Sequence, residues 1–215
     1  KTTTVSKSPE TQIDSIESIT ISERPKSLPS NLKQGANELG ITFLKSLYPQ
    51  YNEKQQCFLK DDVATGKKFC VTVSSVYTRQ ANDQTVIYLS ETGKPLAEGS
   101  SEEFAECHAC AGSVNLYKLA QQKDGAIKVI AKSETLNTGG YGTPPDPWVY
   151  LAGQNDNIGW VIPVGYCGQG NCLGGISLYA VIDNSIKEIA SLPATSDNCG
   201  ADDNECTSIS SSIKT

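Results

Sequence analysis

The sequence predicts an all-β protein with one N-terminal helix, built as duplicated four-stranded antiparallel meanders that form a disulfide-stapled β-sandwich or partly closed barrel. Three observations predict it. From Cys57 onward, short runs rich in β-branched and aromatic residues alternate with Gly, Asn, Asp and Pro. A segment ending in Leu116 and Tyr117 recurs 62 residues downstream. Eight cysteines fall into four close pairs along the chain.

Residues 1–30 hold twelve Ser or Thr and no aromatic residue. Such a stretch buries too little apolar surface to offset its ordering entropy, so it reads as a flexible leader. Ile13, Ile16, Ile19 and Ile21 are spaced so that it could lie along a partner or a sheet edge. Residues 31–215 read as one β-rich domain.

Ser30 is an N-cap candidate, and Leu32, Ala36, Leu39, Phe43 and Leu47 recur at helical spacing before Pro49. A helix over about 31–47 follows. Gly35 and Gly40 are expected to weaken it by about 1 kcal/mol each relative to Ala.

The first β repeat spans about 57–132 and the second about 147–192. Residues 68–73 and 84–89 carry the β composition, and the runs from Trp148 and from Gly159 flank Asn155-Asp156-Asn157 as a hairpin. Cys110-Ala111-Gly112-Ser113-Val114-Asn115-Leu116-Tyr117 aligns with Cys172-Leu173-Gly174-Gly175-Ile176-Ser177-Leu178-Tyr179. Downstream, the run from Asp124 aligns with the run from Asp183. A turn between alternating apolar runs makes each copy a hairpin entered from a cysteine-closed loop, with Leu116 equivalent to Leu178 and Tyr117 to Tyr179. Two copies are too few for a propeller, so the sheets must cover each other or close.

The cysteines are expected to pair in order, because each pair brackets a plausible turn: Cys57 with Cys70, Cys107 with Cys110, Cys167 with Cys172, and Cys199 with Cys206. An even count in local pairs reads as a disulfide framework in an oxidising compartment. The rival is zinc at Cys107-His108-Ala109-Cys110, but a structural zinc site wants a second tight knuckle, and the 167–172 spacing is wider.

With 18 Lys and Arg against 24 Asp and Glu, the net charge is −6 and the pI about 4.9. No cationic footprint for nucleic acid is present. No apolar run approaches the ~20 residues of a membrane span. His108 is the lone histidine. Nucleophilic hydrolysis needs a base beside Ser or Cys, and no Gly-x-Ser-x-Gly elbow or phosphate-cradling glycine loop occurs. No cofactor and no catalytic residue is expected, and the chain is read as a non-enzyme.

Binding residues are sought on two loops that mix Gly, Pro, Tyr and amides, a composition suited to rigid aromatic contact surfaces. Tyr141 and Trp148 belong to the first, at 139–148. Tyr166, Gln169 and Asn171 belong to the second, at 165–172. A third candidate is the acidic, disulfide-closed loop 197–206, with Asp202 and Asp203, which would meet a basic partner or a weakly held cation.

The Gly165-Tyr166-Cys167-Gly168-Gln169-Gly170 run followed by Ile176-Ser177-Leu178-Tyr179, with the small-residue loop around His108-Ala109 and Gly112, resembles uncharacterised exported β-rich bacterial proteins of the periplasmic or lipoprotein-like kind. The resemblance covers residues 48–192. It implies a bacterial envelope location and carries over no functional residue. The expected function is a non-catalytic extracytoplasmic binding protein, such as an inhibitor or immunity protein for a secreted enzyme, in the periplasm or at the cell surface. Its partner is expected to be another protein, a basic one if the acidic loop is used. Two alternatives stand beside it: a surface or filament subunit whose leader adds a strand to a neighbour, and a thiol–disulfide oxidoreductase using Cys107 and Cys110.

Overall fold

The computed structural model describes residues 30–63, 65–81, 84–107, 109–152, 157–168, 171–197 and 208–210. The leader before Ser30 and the acidic loop after Asp197, with Cys199, Asp202, Asp203 and Cys206, lie outside the described residues, as do His108 and Gln169.

Helix α1 (Ser30–Leu47) is followed by β1 (Tyr51–Asn52), β2 (Cys57–Asp62), β3 (Lys67–Ala81), β4 (Gln84–Pro95), β5 (Gly112–Gln121), β6 (Ile127–Lys132) and β7 (Leu136–Thr138). The second half supplies β8 (Trp148–Ala152), β9 (Asn157–Gly168), β10 (Asn171–Ile182), β11 (Ser185–Asp197) and β12 (Ser208–Ser210). The strand order is β1-β2-β3-β4-β5-β6-β11-β10-β9-β8, with β7 on β5 and β12 on β11. Each half is an antiparallel meander. Among the described residues the halves join at one parallel pairing, Ser185 with Lys132, and the sheet does not close.

The meanders fold over each other as a sandwich. Val114 and Leu116 of β5 and Tyr88 of β4 meet Val149, Trp160, Ile162, Tyr179 and Ile186 from the second half. The opposite face of the first meander, with Phe69, Val71, Ile87, Leu89, Tyr117 and Leu119, is covered by Phe43 and Leu44 of α1. Alternation along β4 and β5 sends successive residues to these two layers, as a period of two requires. In β3, an irregularity between Val73 and Ser75 lets Val76 join Phe69, Val71 and Val73 on the helix side although the parity has changed.

The helix stripe is rotated from its expected position. Phe43 and Leu44 are buried, Leu39 is half-buried, and Leu47 is exposed. Each buried side chain contributes about 1.5–3 kcal/mol. Gly40 explains the rotation, because it is itself buried, and a Cβ there would sit 3.1 Å from both Leu89 and Val73. The glycine lets the helix backbone approach the sheet; its cost in propensity is offset by contact.

The two repeats are alike in topology but do not present the same faces to the core. Leu116 points between the sheets and Tyr117 toward α1. Tyr179 points between the sheets, while Leu178 packs with Val161, Trp148, Ile176 and Ala190 on the other side of the second meander. The copies stack in the same sense, the tyrosine face of one on the leucine face of the other.

Cys57–Cys70 and Cys107–Cys110 are disulfides with Cα separations of 5.4 and 5.0 Å. Cys172 is disulfide-bonded too, and its backbone lies opposite Cys167 in the β9–β10 register. The side chain of its partner lies outside the described residues. Such bonds place the chain in an oxidising environment. The Cys57–Cys70 loop contributes about 3 kcal/mol in chain entropy and the Cys107–Cys110 loop no more than about 2 kcal/mol. No helix among the described residues is long and apolar enough to cross a membrane.

Candidate functional site

Two loops of the first half meet at one end of the sandwich. Cys107 and Cys110 close a tight turn in which the Cys110 N–H donates to Cys107 O at 2.9 Å. The Cys110 carbonyl in turn accepts from the Gly142 N–H at 2.7 Å. The 139–147 segment is thus docked on the disulfide turn. Its own turn is closed by Thr143 N–H donating to Gly140 O at 3.0 Å, and Asp146 Oδ1 accepts from Ser74 Oγ at 2.8 Å. The approach is close. A Cβ at Gly142 would lie 2.5 Å from Ala105 O, and the residue has φ +69°. A Cβ at Gly112 would lie 2.5 Å from the Pro144 nitrogen.

At the tip stands Tyr141, 62% exposed, with φ +53°. A large non-glycine side chain in the left-handed region costs about 1–3 kcal/mol, and such strain persists only where the surroundings over-determine it. Here the disulfide turn, the Gly140–Thr143 turn and the Asp146 anchor do so. Gly142→Ala is expected to cost about 1–3 kcal/mol from the same causes, a clash and a positive φ. A denaturation midpoint lowered with unchanged slope checks it.

Trp148 is half-buried and packs on Val161 and Leu178. The segment 165–172 differs from the expected loop: β9 runs through to Gly168, β10 begins at Asn171, and Tyr166 pairs with Leu173. The Cys167–Cys172 register extends the ladder through glycines that have little strand preference of their own. Asn171 is exposed at that hairpin tip. Gly168 stands seven residues past Val161, the partner of Trp148, about 23 Å along the strand. Thr138 lines a shallow groove with Val164, Gly165 and Leu173, so the bases of the two regions meet there.

Sequence reasoning missed a buried polar cluster. Glu91 is fully buried on the helix side of β4. One of its oxygens accepts from Asn115 Nδ2 at 2.8 Å and Lys60 Nζ at 3.3 Å; the other accepts from Tyr48 Oη at 3.0 Å and Tyr117 Oη at 3.2 Å. Thr135 Oγ1 donates to Asn115 Oδ1 at 2.9 Å and orients it. With two donors on each oxygen, this carboxylate gathers four side chains from β2, β5 and the helix exit around it. The signal was present: Ile87, Leu89 and Glu91 share one phase of the alternation, and an acid in the apolar phase needs partners.

Burial, followed by the charge of Glu91, raises the Tyr48 and Tyr117 phenols well above their ordinary range. In the second repeat, Tyr179 donates to Glu188 at 3.3 Å; burial and then that carboxylate push it up to about 12. The unfolded phenols ionise near 10 while the folded ones stay protonated, so the unfolded state loses protons first. Stability is therefore full below about pH 10 and falls as pH rises toward 12 and beyond. Tyrosinate absorbance near 295 nm is expected to appear for Tyr48 and Tyr117 together with loss of the β signal in circular dichroism, not before it.

No protein-family model, curated protein or solved structure matches the chain.

Proposed function

We propose that the protein is an extracytoplasmic binding module for another protein, located in the bacterial periplasm or at the cell surface, and that Tyr141 is the central anchor of its contact surface. The observation that carries this reading is an exposed aromatic side chain held in a left-handed backbone conformation by a disulfide-backed loop. A rigid aromatic anchor contributes contact area at low entropic cost, which is the economy of binding loops on β scaffolds. The acidity of the chain favours a partner with a basic surface. An inhibitor or immunity protein for a secreted enzyme is the kind of role such a module fills.

Tyr141→Ala is expected to weaken partner binding at least tenfold while leaving the melting temperature nearly unchanged, since the side chain is exposed. The measurement compares wild-type and variant protein immobilised against the exported protein fraction of the source cell, with titration of whatever the wild type retains. Equal retention by the variant would remove Tyr141 from the surface.

A further inference from the structure

The two described disulfides differ in where they sit. Cys57 and Cys70 are 1% and 6% exposed, buried beneath Leu96 with Leu59 and Phe104 packed around them. Cys107 is exposed, and Cys110 is half-buried. Cys110 also lines a groove of about 640 Å³ shared with Lys67, Lys68, Pro95, Ser100 and Ala105. Disulfide exchange requires a thiolate to reach a sulfur along the S–S axis, so access decides which bond is labile. Only Cys107–Cys110 offers that access among the disulfides whose two sulfurs are described.

Two further features suit exchange. The turn hydrogen bond from the Cys110 N–H to Cys107 O is independent of the S–S bond, so it can hold both thiols together after reduction. The groove beside Cys110 carries Lys67, Lys68 and Glu98, with Lys68 Nζ 3.6 Å from Asp61 Oδ1, so it offers charged and polar groups to an extended substrate segment.

We propose that Cys107–Cys110 is a thiol–disulfide exchange site on the flank of the binding loop, and that its substrate class is a protein dithiol presented on an extended segment lying in the Lys67–Ser100 groove. A substrate thiolate attacks Cys107 Sγ; the S–S bond breaks, a mixed disulfide forms, and Cys110 leaves as a thiolate. The second substrate thiolate then attacks its own mixed-disulfide sulfur and releases Cys107 as a thiolate. The substrate loses two electrons and two protons to become a disulfide, and the chain gains both to become a dithiol. One substrate is oxidised per chain. This step stands apart from the Tyr141 surface, but the two are adjacent: Cys110 O holds the Gly142 N–H, so the state of the turn bears on the loop.

The test uses dithiothreitol on the folded, oxidised protein, with iodoacetamide trapping and peptide mapping over time. Alkylation at Cys107 and Cys110 is expected at least 100-fold faster than at Cys57 and Cys70, with the circular dichroism unchanged. In a second arm, Cys110→Ser and Cys107→Ser are each treated with oxidised glutathione. Cys110→Ser should form a one-to-one mixed disulfide at Cys107 at least tenfold faster than Cys107→Ser does at Cys110. In a third, Lys67→Glu with Lys68→Glu should slow reduction by a cysteine-pair peptide several-fold more than it slows reduction by dithiothreitol. The proposal is overturned if Cys107 and Cys110 are labelled no faster than Cys57 and Cys70, or if the two serine variants react equally. An equal effect of the lysine changes on peptide and dithiothreitol overturns the groove as the substrate's seat. None of these readouts depends on Tyr141, so the binding reading and the exchange site fail separately.

Discussion

Replacing Glu91 by alanine is expected to destabilise the protein by about 3–5 kcal/mol. The carboxylate is fully buried, and its loss leaves the Lys60 ammonium, whose side chain is only 11% exposed, without its counter-ion. Three neutral donors lose this acceptor as well: Asn115 Nδ2, Tyr48 Oη and Tyr117 Oη. Removing one member of a buried network costs the desolvation of every partner left behind, which is why the loss exceeds the net worth of any one bond. The site joins α1's exit at Tyr48 to β2, β4 and β5, so the effect should spread across the helix layer. Denaturant titration measures it. Glu91→Leu combined with Lys60→Met should recover the part of the loss that comes from the unpaired ammonium, because no buried charge remains, while Asn115, Tyr48 and Tyr117 still lack this acceptor. A double variant as unstable as Glu91→Ala would mean that the lost hydrogen bonds and packing, not the unpaired ammonium, set the cost.

A loss of similar size is expected for Trp160→Ala, about 3–5 kcal/mol. Trp160 is fully buried between the sheets, with its ring centroid 5.6 Å from that of Tyr88. Truncation opens the largest fully buried side-chain volume at the point where the two meanders meet. Among the described residues the halves share one parallel backbone pairing, so side-chain packing carries much of their association. Trp160→Phe should cost less than half as much. Its indole Nε1 is buried without a hydrogen-bond partner among the described residues, and phenylalanine removes that unsatisfied donor while keeping most of the ring contact. Thermal unfolding of the two variants side by side checks the ratio.

The sequence is legible where local chemistry and tertiary packing agree. The helix ends just before Pro49 as its stop signal suggests, and the hairpin from Trp148 and the duplicated hairpins after Cys110 and Cys172 follow from alternation. The departures have specific causes. Gly40 read as a helix weakness because propensity says nothing of the Leu89 and Val73 side chains that press on it. The 165–172 run read as a loop because Gly and Asn mark turns, whereas the ladder between Cys167 and Cys172 carries the strands past them. Alternation gives two faces to each repeat but not which face meets the core, so the inversion of Leu116 against Leu178 follows only from how the sheets stack. Of the candidate site, Tyr141 and the Cys107–Cys110 turn could each be named from sequence. Their adjacency could not, since it rests on the long-range bond from Gly142 to Cys110.

The reading of the 139–147 loop as a partner-binding surface is tested most directly by placing a photo-reactive phenylalanine analogue at position 141 in the full chain within its native cell. Control positions are Leu173 at the β9–β10 hairpin tip, 59% exposed, and Ile182 at the opposite end of β10, 39% exposed. Illumination is expected to give one discrete protein adduct from position 141 and none from position 182. No adduct from 141, or the same adduct from 182 or from 173 alone, would contradict the assignment of the binding surface to Tyr141.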